Sequence, residues 1–399
     1  MLKHSELQFP SDAVDVPERS LNRRDFLRSS AIAAIGVVAA SRAPELLAQE
    51  RVRRLAPVKV SRDRIIREIV GLRPYRSEGY VVEAQKIGNK FVIHNYGHGG
   101  AGITLSWGTA TQAVDLVREM PQPAARTRRP APRRFAVIGS GVNGLSTAIM
   151  LQRRYQDGPG TVTIYARDLP PNTTSNIAAG YWSPVSLFDP GATSSKFMEQ
   201  FRSAAKISNR AFQLLVGSDY GVRWLDIFTH HRSEAAIQGE LPGGNDLYPQ
   251  QIIHRDPSNY FGVPIVRQFN SMMIEPPIYL RALLRDFYNA GGKIVVREFK
   301  SRDEIMRLPE PVIFNCSGLG ARQLFGDEKL VPARGQLEVL LPQPEIDYGY
   351  IGAGHMFPRS DGIFLGGTFD IDDWSLAVNP DHSKQIIETH EGIMRGLTP

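Results

Sequence analysis

The spacing of apolar positions changes several times along the chain, and each change predicts an element. Residues 80–84 and 91–94 are β-rich runs on either side of Gly88-Asn89, the pattern of a hairpin. The string His94-Asn-Tyr-Gly-His-Gly-Gly follows. Beyond it Ile103, Trp107, Ala110, Val114 and Val117 fall at helical spacing. A strand is therefore expected to run through a Gly-rich turn into a helix. Residues 120–134 lose all periodicity and are rich in Pro, Ala and Arg, as a linker would be.

A second strand is expected at 135–138, running into Gly139-Ser-Gly-Val-Asn-Gly144, with Leu145, Ala148, Ile149 and Tyr155 on one face of the next helix. A further strand at 162–165 completes a βαβ unit. Later strands are expected at 293–299, at 311–314 and at 362–369, with helices at 279–290 and just before the C-terminus. No repeat of solenoid period is present.

Composition narrows the class. The chain has 399 residues, 42% of them hydrophobic, enough for a sizeable core. The net charge of +6 is concentrated in two places, Arg23, Arg24 and Arg28, and Arg126 through Arg134, neither interleaved with aromatics. No nucleic-acid partner is expected. The single cysteine, Cys316, sits in an apolar strand, so no internal disulfide forms and a small buried core residue is expected.

Residues 20–28 read Ser-Leu-Asn-Arg-Arg-Asp-Phe-Leu-Arg, before a short Ala-rich apolar run at 31–40. That run is too short for a membrane-spanning helix, which needs about twenty residues. Paired arginines followed by a mild apolar stretch resemble a twin-arginine export signal. The expected partner is the twin-arginine export machinery, and the expected location is periplasmic or extracellular in a bacterium.

Candidate chemistry centres on the glycine fingerprint. After a strand and opening a helix, Gly139 permits the tight turn, Gly141 lets backbone approach a pyrophosphate, and Gly144 allows close helix–strand packing. The helix N-terminus offers N–H groups to phosphates. Asp168, beside Arg167, is placed to meet ribose hydroxyls. The fingerprint alone does not separate FAD from NAD.

Further strings do. Thr173-Thr-Ser-Asn-Ile-Ala-Ala-Gly-Tyr-Trp, Asn315-Cys-Ser-Gly, Arg334-Gly-Gln, Leu365-Gly-Gly-Thr-Phe, Gly71-Leu-Arg-Pro and His94-Asn-Tyr-Gly-His-Gly-Gly together resemble the D-amino-acid oxidase family, over nearly everything from about residue 55 onward. The resemblance implies an α/β fold: a Rossmann-like FAD-binding domain plus an α+β substrate domain with an antiparallel-rich sheet. The order departs from the family, where the glycine fingerprint opens the chain and the GLRP and HNYGHGG strings close it. The chain therefore resembles a circularly permuted member. The expected divisions are a signal at 1–49, the permuted C-terminal segment at 50–118, a linker at 119–134 and the FAD-binding βαβ at 135–186. They continue with mainly substrate domain at 187–292, FAD-binding strands at 293–335, substrate domain and lid at 336–360, and a return to the FAD-binding domain at 361–399.

The resemblance also implies an activity: FAD-dependent oxidative deamination of D-amino acids to 2-oxo acids, ammonia and hydrogen peroxide, with oxygen or another electron acceptor. A dehydrogenase or oxidase of another amine (glycine, an N-methyl amino acid, a cell-wall amine) and a catalytically silent flavin-binding protein are the alternatives. A homodimer is compatible with any of them. FAD contacts carried over are Gly139, Gly141, Val142, Asn143, Gly144, Arg167, Asp168, Thr173, Thr174, Ser175, Ala179, Gly180 and Phe299, with Gly99, Gly100, Ala101, Gly102, Ile103 and Thr104 from the second Gly-rich turn.

For the substrate, Arg73 is the expected bidentate carboxylate partner, and the Gly100 carbonyl accepts from the amine. The family's tyrosines before the LGG strand are replaced here: His355 takes the nearer position and Ile351 the farther, with Tyr350 close by. His355 is expected to hydrogen-bond the carboxylate, or to attract a second acid group when protonated. Ser183 lies on the substrate side of the Tyr181-Trp182 turn, and Ala101 stands where a bulkier residue is common, which widens the pocket. His94 and His98 lack further ligands at metal spacing, and no metal is expected.

Overall fold

Fifteen strands in two sheets carry the described residues. The computed structural model describes residues 54–119, 134–155, 161–255 and 260–397. The expected export signal and nearly all of the linker lie outside them. The strands are β1 (Ile65–Tyr75), β2 (Val81–Ile87), β3 (Lys90–Tyr96), β4 (Phe135–Ile138), β5 (Val162–Ala166), β6 (Val222–His231), β7 (Ile252–His254), β8 (Ile265–Ile274), β9 (Lys293–Val296), β10 (Val312–Asn315), β11 (Val331–Leu340), β12 (Tyr348–Ile351), β13 (His355–Arg359), β14 (Gly362–Gly366) and β15 (Asp370–Ile371). The helices are α1 (Gly102–Asp115), α2 (Val142–Arg154), α3 (Thr174–Ile177), α4 (Ser195–Gln213), α5 (Pro276–Asn289), α6 (Arg302–Met306), α7 (Gly320–Phe325) and α8 (Pro380–Arg395).

The first sheet runs β2-β3-β10-β4-β5-β9, parallel from β3 to β9, with β2 antiparallel at the edge. Strands β4, β5 and β10 are buried along their whole length and, apart from Thr163 and Asn315, apolar, because both faces are covered. Helices α1 and α2 pack on one another, with Trp107, Leu145 and Ala148 in the shared core. The expected hairpin is present, β2 and β3 pairing around Gly88-Asn89.

The second sheet runs β1-β11-β14-β13-β12-β6-β8-β7, with β15 also on β11. It is antiparallel except where β12 meets β6. One face lines the site described below. Helix α8 covers part of the other, with Ile386 and Ile387 packed among Tyr348, Tyr350, Met356 and Leu365.

Residues 65–75 and 90–96 are thus built into the two sheets through partners far along the chain: β1 on β11 and β3 on β10. Leu55–Pro399 form one compact unit. Boundaries differ from expectation in places. The strand expected over 362–369 ends at Gly366, and the one over 293–299 ends at Val296. No helix among the described residues is long and apolar enough to cross a membrane.

Candidate active site

The parallel sheet decides where a ligand goes. From β4 the chain moves to β5 on one side, while β10 and β3 lie on the other. At such a switch point the connections leave in opposite directions and open a crevice beyond the carboxyl ends of the strands. A cavity of about 1060 Å³ lies there. The segments following β3, β4, β5, β9 and β10 all reach it, through Gly97–Gly100, Gly139–Asn143, Arg167-Asp168, Arg297–Phe299 and Cys316–Gly320 respectively.

The glycine fingerprint is built for close approach. Gly139 has φ +106°, a left-handed conformation suited to glycine, and a Cβ there would stand 2.5 Å from the Cys316 carbonyl oxygen. Gly144 does not line the cavity. A Cβ on it would stand 2.0 Å from the Gly139 oxygen, so its role is to seat α2 against the turn. Gly141 is the N-cap of α2, and Ser175 Oγ accepts the Val142 N–H at 3.0 Å. One of the N–H groups expected to be free for phosphates is therefore held by the protein itself. Asn143 Nδ2 meets His98 Nδ1 at 3.2 Å, while the buried Asn143 Oδ1 has no protein partner.

Both histidines of the second Gly-rich turn are held in place. His98 Nε2 meets Thr109 Oγ1 at 3.1 Å and its ring stacks on Tyr80. His94 Nδ1 meets Asn315 Nδ2 at 3.0 Å. Burial pulls their pKa values down, to about 3 for His98 and about 4 for His94. Neutral rings fit these packing and hydrogen-bonding roles. Gly99, Gly100, Gly102, Ile103 and Thr104 line the cavity as expected. Ala101 does not: it is fully buried, so its small size opens no space in the cavity.

At the other end the antiparallel sheet supplies the wall. Arg73 projects from β1 and donates from Nη1 to the Thr368 carbonyl at 3.3 Å, with its guanidinium 5.6 Å from the Phe369 ring centroid. Among the described residues it makes no ion pair with a carboxylate within 4.0 Å. Burial lowers its pKa, partly opposed by Asp370. His355 lines the same wall. Burial, with His390 and Arg73 nearby, lowers its pKa to about 3. Burial and the neighbouring Arg73 thus oppose the protonated ring that would attract a second acid group.

Tyr350 is a further correction. It does not line the cavity. Alternation along β12 turns Ile351 toward the cavity and Tyr350 toward α8, where its hydroxyl meets His390 Nδ1 at 2.5 Å. Ser183 does line the cavity, with its hydroxyl 3.2 Å from that of Tyr248. Thr173, Thr174, Ser175, Ala179, Gly180 and Phe299 line it too. Sequence reasoning missed Tyr181, stacked on Phe357 at 4.8 Å, and Leu376 at the rim. The alternation of His355 and Phe357 on β13 was the available signal for Phe357.

Comparison with known proteins adds a family to this geometry. The sequence profile described as "FAD dependent oxidoreductase" (DAO) matches residues 134–397. The chain belongs to the FAD-dependent oxidoreductase family. It is 30% identical to a D-amino acid oxidase of Dugesia ryukyuensis over 276 residues, covering 66% of this chain and 78% of that protein. It is also 30% identical to a D-aspartate oxidase of Homo sapiens over 259 residues, covering 64% and 74%. Among solved structures, glycine oxidase from Bacillus cereus aligns with TM-score 0.48 and 14% identity, over 65% of this chain and 77% of that one.

The residues fit the family's cofactor. Glycines 139 and 141 leave backbone bare where a pyrophosphate must approach, and a Cβ on Gly141 would close to 3.2 Å on Ser175 Oγ. Asp168 and Glu298 line the cavity after β5 and β9 and would offer acceptors to ribose hydroxyls, with Arg167 2.7 Å from Asp168 and 3.8 Å from Glu298. The unpaired Asn143 Oδ1 offers one more acceptor. Gly102, Ile103 and Thr104, at the start of α1, line the same cavity as Arg73 and would offer backbone N–H groups to a flavin there.

Proposed function

We propose that the protein oxidises the free amino group of a D-amino acid to an imino acid, which water converts to a 2-oxo acid and ammonia. The observation that carries this reading is Arg73: a half-buried guanidinium on the cavity wall that meets a backbone carbonyl and, among the described residues, no carboxylate. A substrate carboxylate is its natural bidentate partner. The named activities of the D-amino acid oxidase and D-aspartate oxidase relatives support the same reading. Bound FAD supplies the two-electron acceptor, and oxygen or another acceptor takes the electrons on, oxygen yielding hydrogen peroxide.

The protein's own groups then bind and orient. Arg73 holds the carboxylate, and neutral His355 beside it adds one hydrogen bond. The Gly100 carbonyl accepts from the amine. The N–H groups and dipole at the start of α1 favour negative charge on the reduced cofactor. Ile351, Phe357 and Leu337 keep water from the reacting carbon. Of the Lys and Arg residues lining the cavity among those described, Arg167 and Arg297 lie beyond β5 and β9, so Arg73 alone faces the substrate end. One carboxylate is matched, and a second is not.

Anaerobic mixing of holoenzyme with neutral and acidic D-amino acids tests the reading. Bleaching of the flavin by neutral D-amino acids is expected, with D-aspartate much slower. An oxidised spectrum that persists through the whole panel would overturn it. Ile351 and His355, where the family's tyrosines are expected, favour a second reading: a dehydrogenase or oxidase of another amine, such as glycine or an N-methyl amino acid. Bleaching by those amines alone would select it.

A family profile that begins at 134, with Arg73 and the second Gly-rich turn lying before it, supports a circular permutation. Export rests on the sequence at 20–40. Signal-dependent appearance of folded holoprotein outside the cytoplasm is its test.

A further inference from the structure

The string Arg334-Gly335-Gln336 has no part in the chemistry above, yet all three residues converge on one group. We propose that they are positioning residues for the Arg73 guanidinium; the inference rests on Arg73 as the carboxylate partner.

The strand dictates the division of labour. On β11 successive side chains alternate, so Gly335 faces the cavity while Arg334 and Gln336 face away. Gly71 of β1 lies directly opposite Gly335. The space over Gly71 is filled by Ile177, whose Cγ2 would stand 2.9 Å from a Cβ there, whereas the gap over Gly335 is open, and Arg73, two residues along β1 from Gly71, folds its guanidinium into it. A Cβ on Gly335 would stand 2.2 Å from Arg73 Nη1 and 2.5 Å from its Cζ. The absent side chain is the seat of the guanidinium.

Arg334 and Gln336 fasten the other side of that seat, the loop at 367–379. Arg334 is 2% exposed. It donates from Nε to the Ser375 carbonyl at 3.1 Å and from Nη2 to the Ala377 carbonyl at 2.6 Å. It also pairs with Asp370 at 3.4 Å and Asp373 at 3.6 Å. The Gln336 backbone N–H donates to Thr368 Oγ1 at 3.0 Å. Its side-chain oxygen accepts from the Asn379 N–H at 2.9 Å, and its amide donates to the Asn379 carbonyl at 3.1 Å. The loop so held presents the Thr368 carbonyl that accepts from Arg73 and the Phe369 ring beside it. Besides these anchors the loop is held by the short β15–β11 pairing, by the Asp372 N–H on the Pro332 carbonyl at 2.8 Å and by Phe369 against Tyr75, while Ile371, Trp374 and Leu376 stay exposed. Without Arg334 and Gln336, Arg73 would keep its charge and lose its aim.

The test uses holoenzyme, with the D-amino acid that bleaches it fastest and the corresponding 2-oxo acid. Gly335→Ala should raise KM by about 10-fold or more and weaken 2-oxo acid binding in parallel, while kcat stays within about 3-fold and FAD stays bound. A double-mutant cycle with Arg73→Lys separates positioning from general damage. The shorter ammonium clears the new methyl, so the double variant should lie within about 2-fold of Arg73→Lys alone. Should Gly335→Ala fail to fold, Thr368→Val decides: it keeps shape, removes the acceptor for Gln336 N–H, and should raise KM by roughly 3-fold. An active wild type whose variants keep KM within about 2-fold, or a cycle in which the two losses simply add, overturns the inference and leaves the functional reading standing. A wild-type holoenzyme inert to the whole panel overturns the functional reading first.

Discussion

The imidazole of His355 lies over Gly366, its partner across the β13–β14 pair: a Cβ at 366 would stand 2.0 Å from His355 Nε2. Glycine is what lets the ring sit back against the sheet. Gly366→Ala should push the ring into the cavity and raise KM for bulky side chains by roughly 10-fold, sparing D-alanine. Steady-state kinetics across side-chain size checks this. A uniform change across sizes would refute it.

Arg73→Ala should cut kcat/KM for D-amino acids by about 10²–10³-fold, because it leaves a desolvated carboxylate without its charged partner. FAD should remain bound, since Arg73 stands on the substrate wall. Stopped-flow reduction together with the flavin absorbance ratio measures both, and an unchanged reduction rate would remove Arg73 from its role.

The fingerprint glycines should separate fold from cofactor. Gly144→Ala meets the Gly139 oxygen at 2.0 Å and should lower Tm even in apoprotein. Gly141→Ala meets only Ser175 Oγ, at 3.2 Å, and should leave apoprotein Tm nearly unchanged while weakening FAD binding by roughly 10-fold or more. Equal Tm losses in both would contradict the assignment.

Acid should unfold the protein early. His94, His98, His230, His355 and His390 are pulled from 6.5 to about 4, 3, 4, 3 and 4, chiefly by burial. Between pH 6.5 and about 4 the unfolded chain binds protons at these rings that the folded chain does not. Stability therefore rises with pH through that window, and the contribution is fully present above it. Thermal melts from about pH 7 down to about pH 4.5 should show Tm falling throughout; a flat profile would mean that the rings titrate normally.

What the sequence revealed follows from how local each signal is. The β4–α2–β5 unit was legible because strand, turn and helix sit within one short stretch and each glycine has a local reason. The hairpin β2–β3 was legible for the same cause. Strand β1 was not, although it carries Arg73: Ile65–Tyr75 is only partly buried, with no clean alternation, and β11 alone sets its register. Strand β11 hides its burial behind Arg334, Gln336 and Glu338, which are buried because α8 and the 367–379 loop bring partners to them. The error at Tyr350 was one of parity. A motif places a residue near a site, but only the paired strand says which face it takes, and Ile351 took the inner one.

The pairing of β3 with β10 and of β1 with β11 has a consequence for how the chain is made. Residues 65–96 leave the ribosome long before their partners at 312–340 exist. At 5–20 residues per second the wait is roughly 10–50 s, with apolar strands and open edges exposed. Such non-local pairing also slows the search for the native state once synthesis ends. The arrangement leaves the early strands in need of shielding until the late ones emerge.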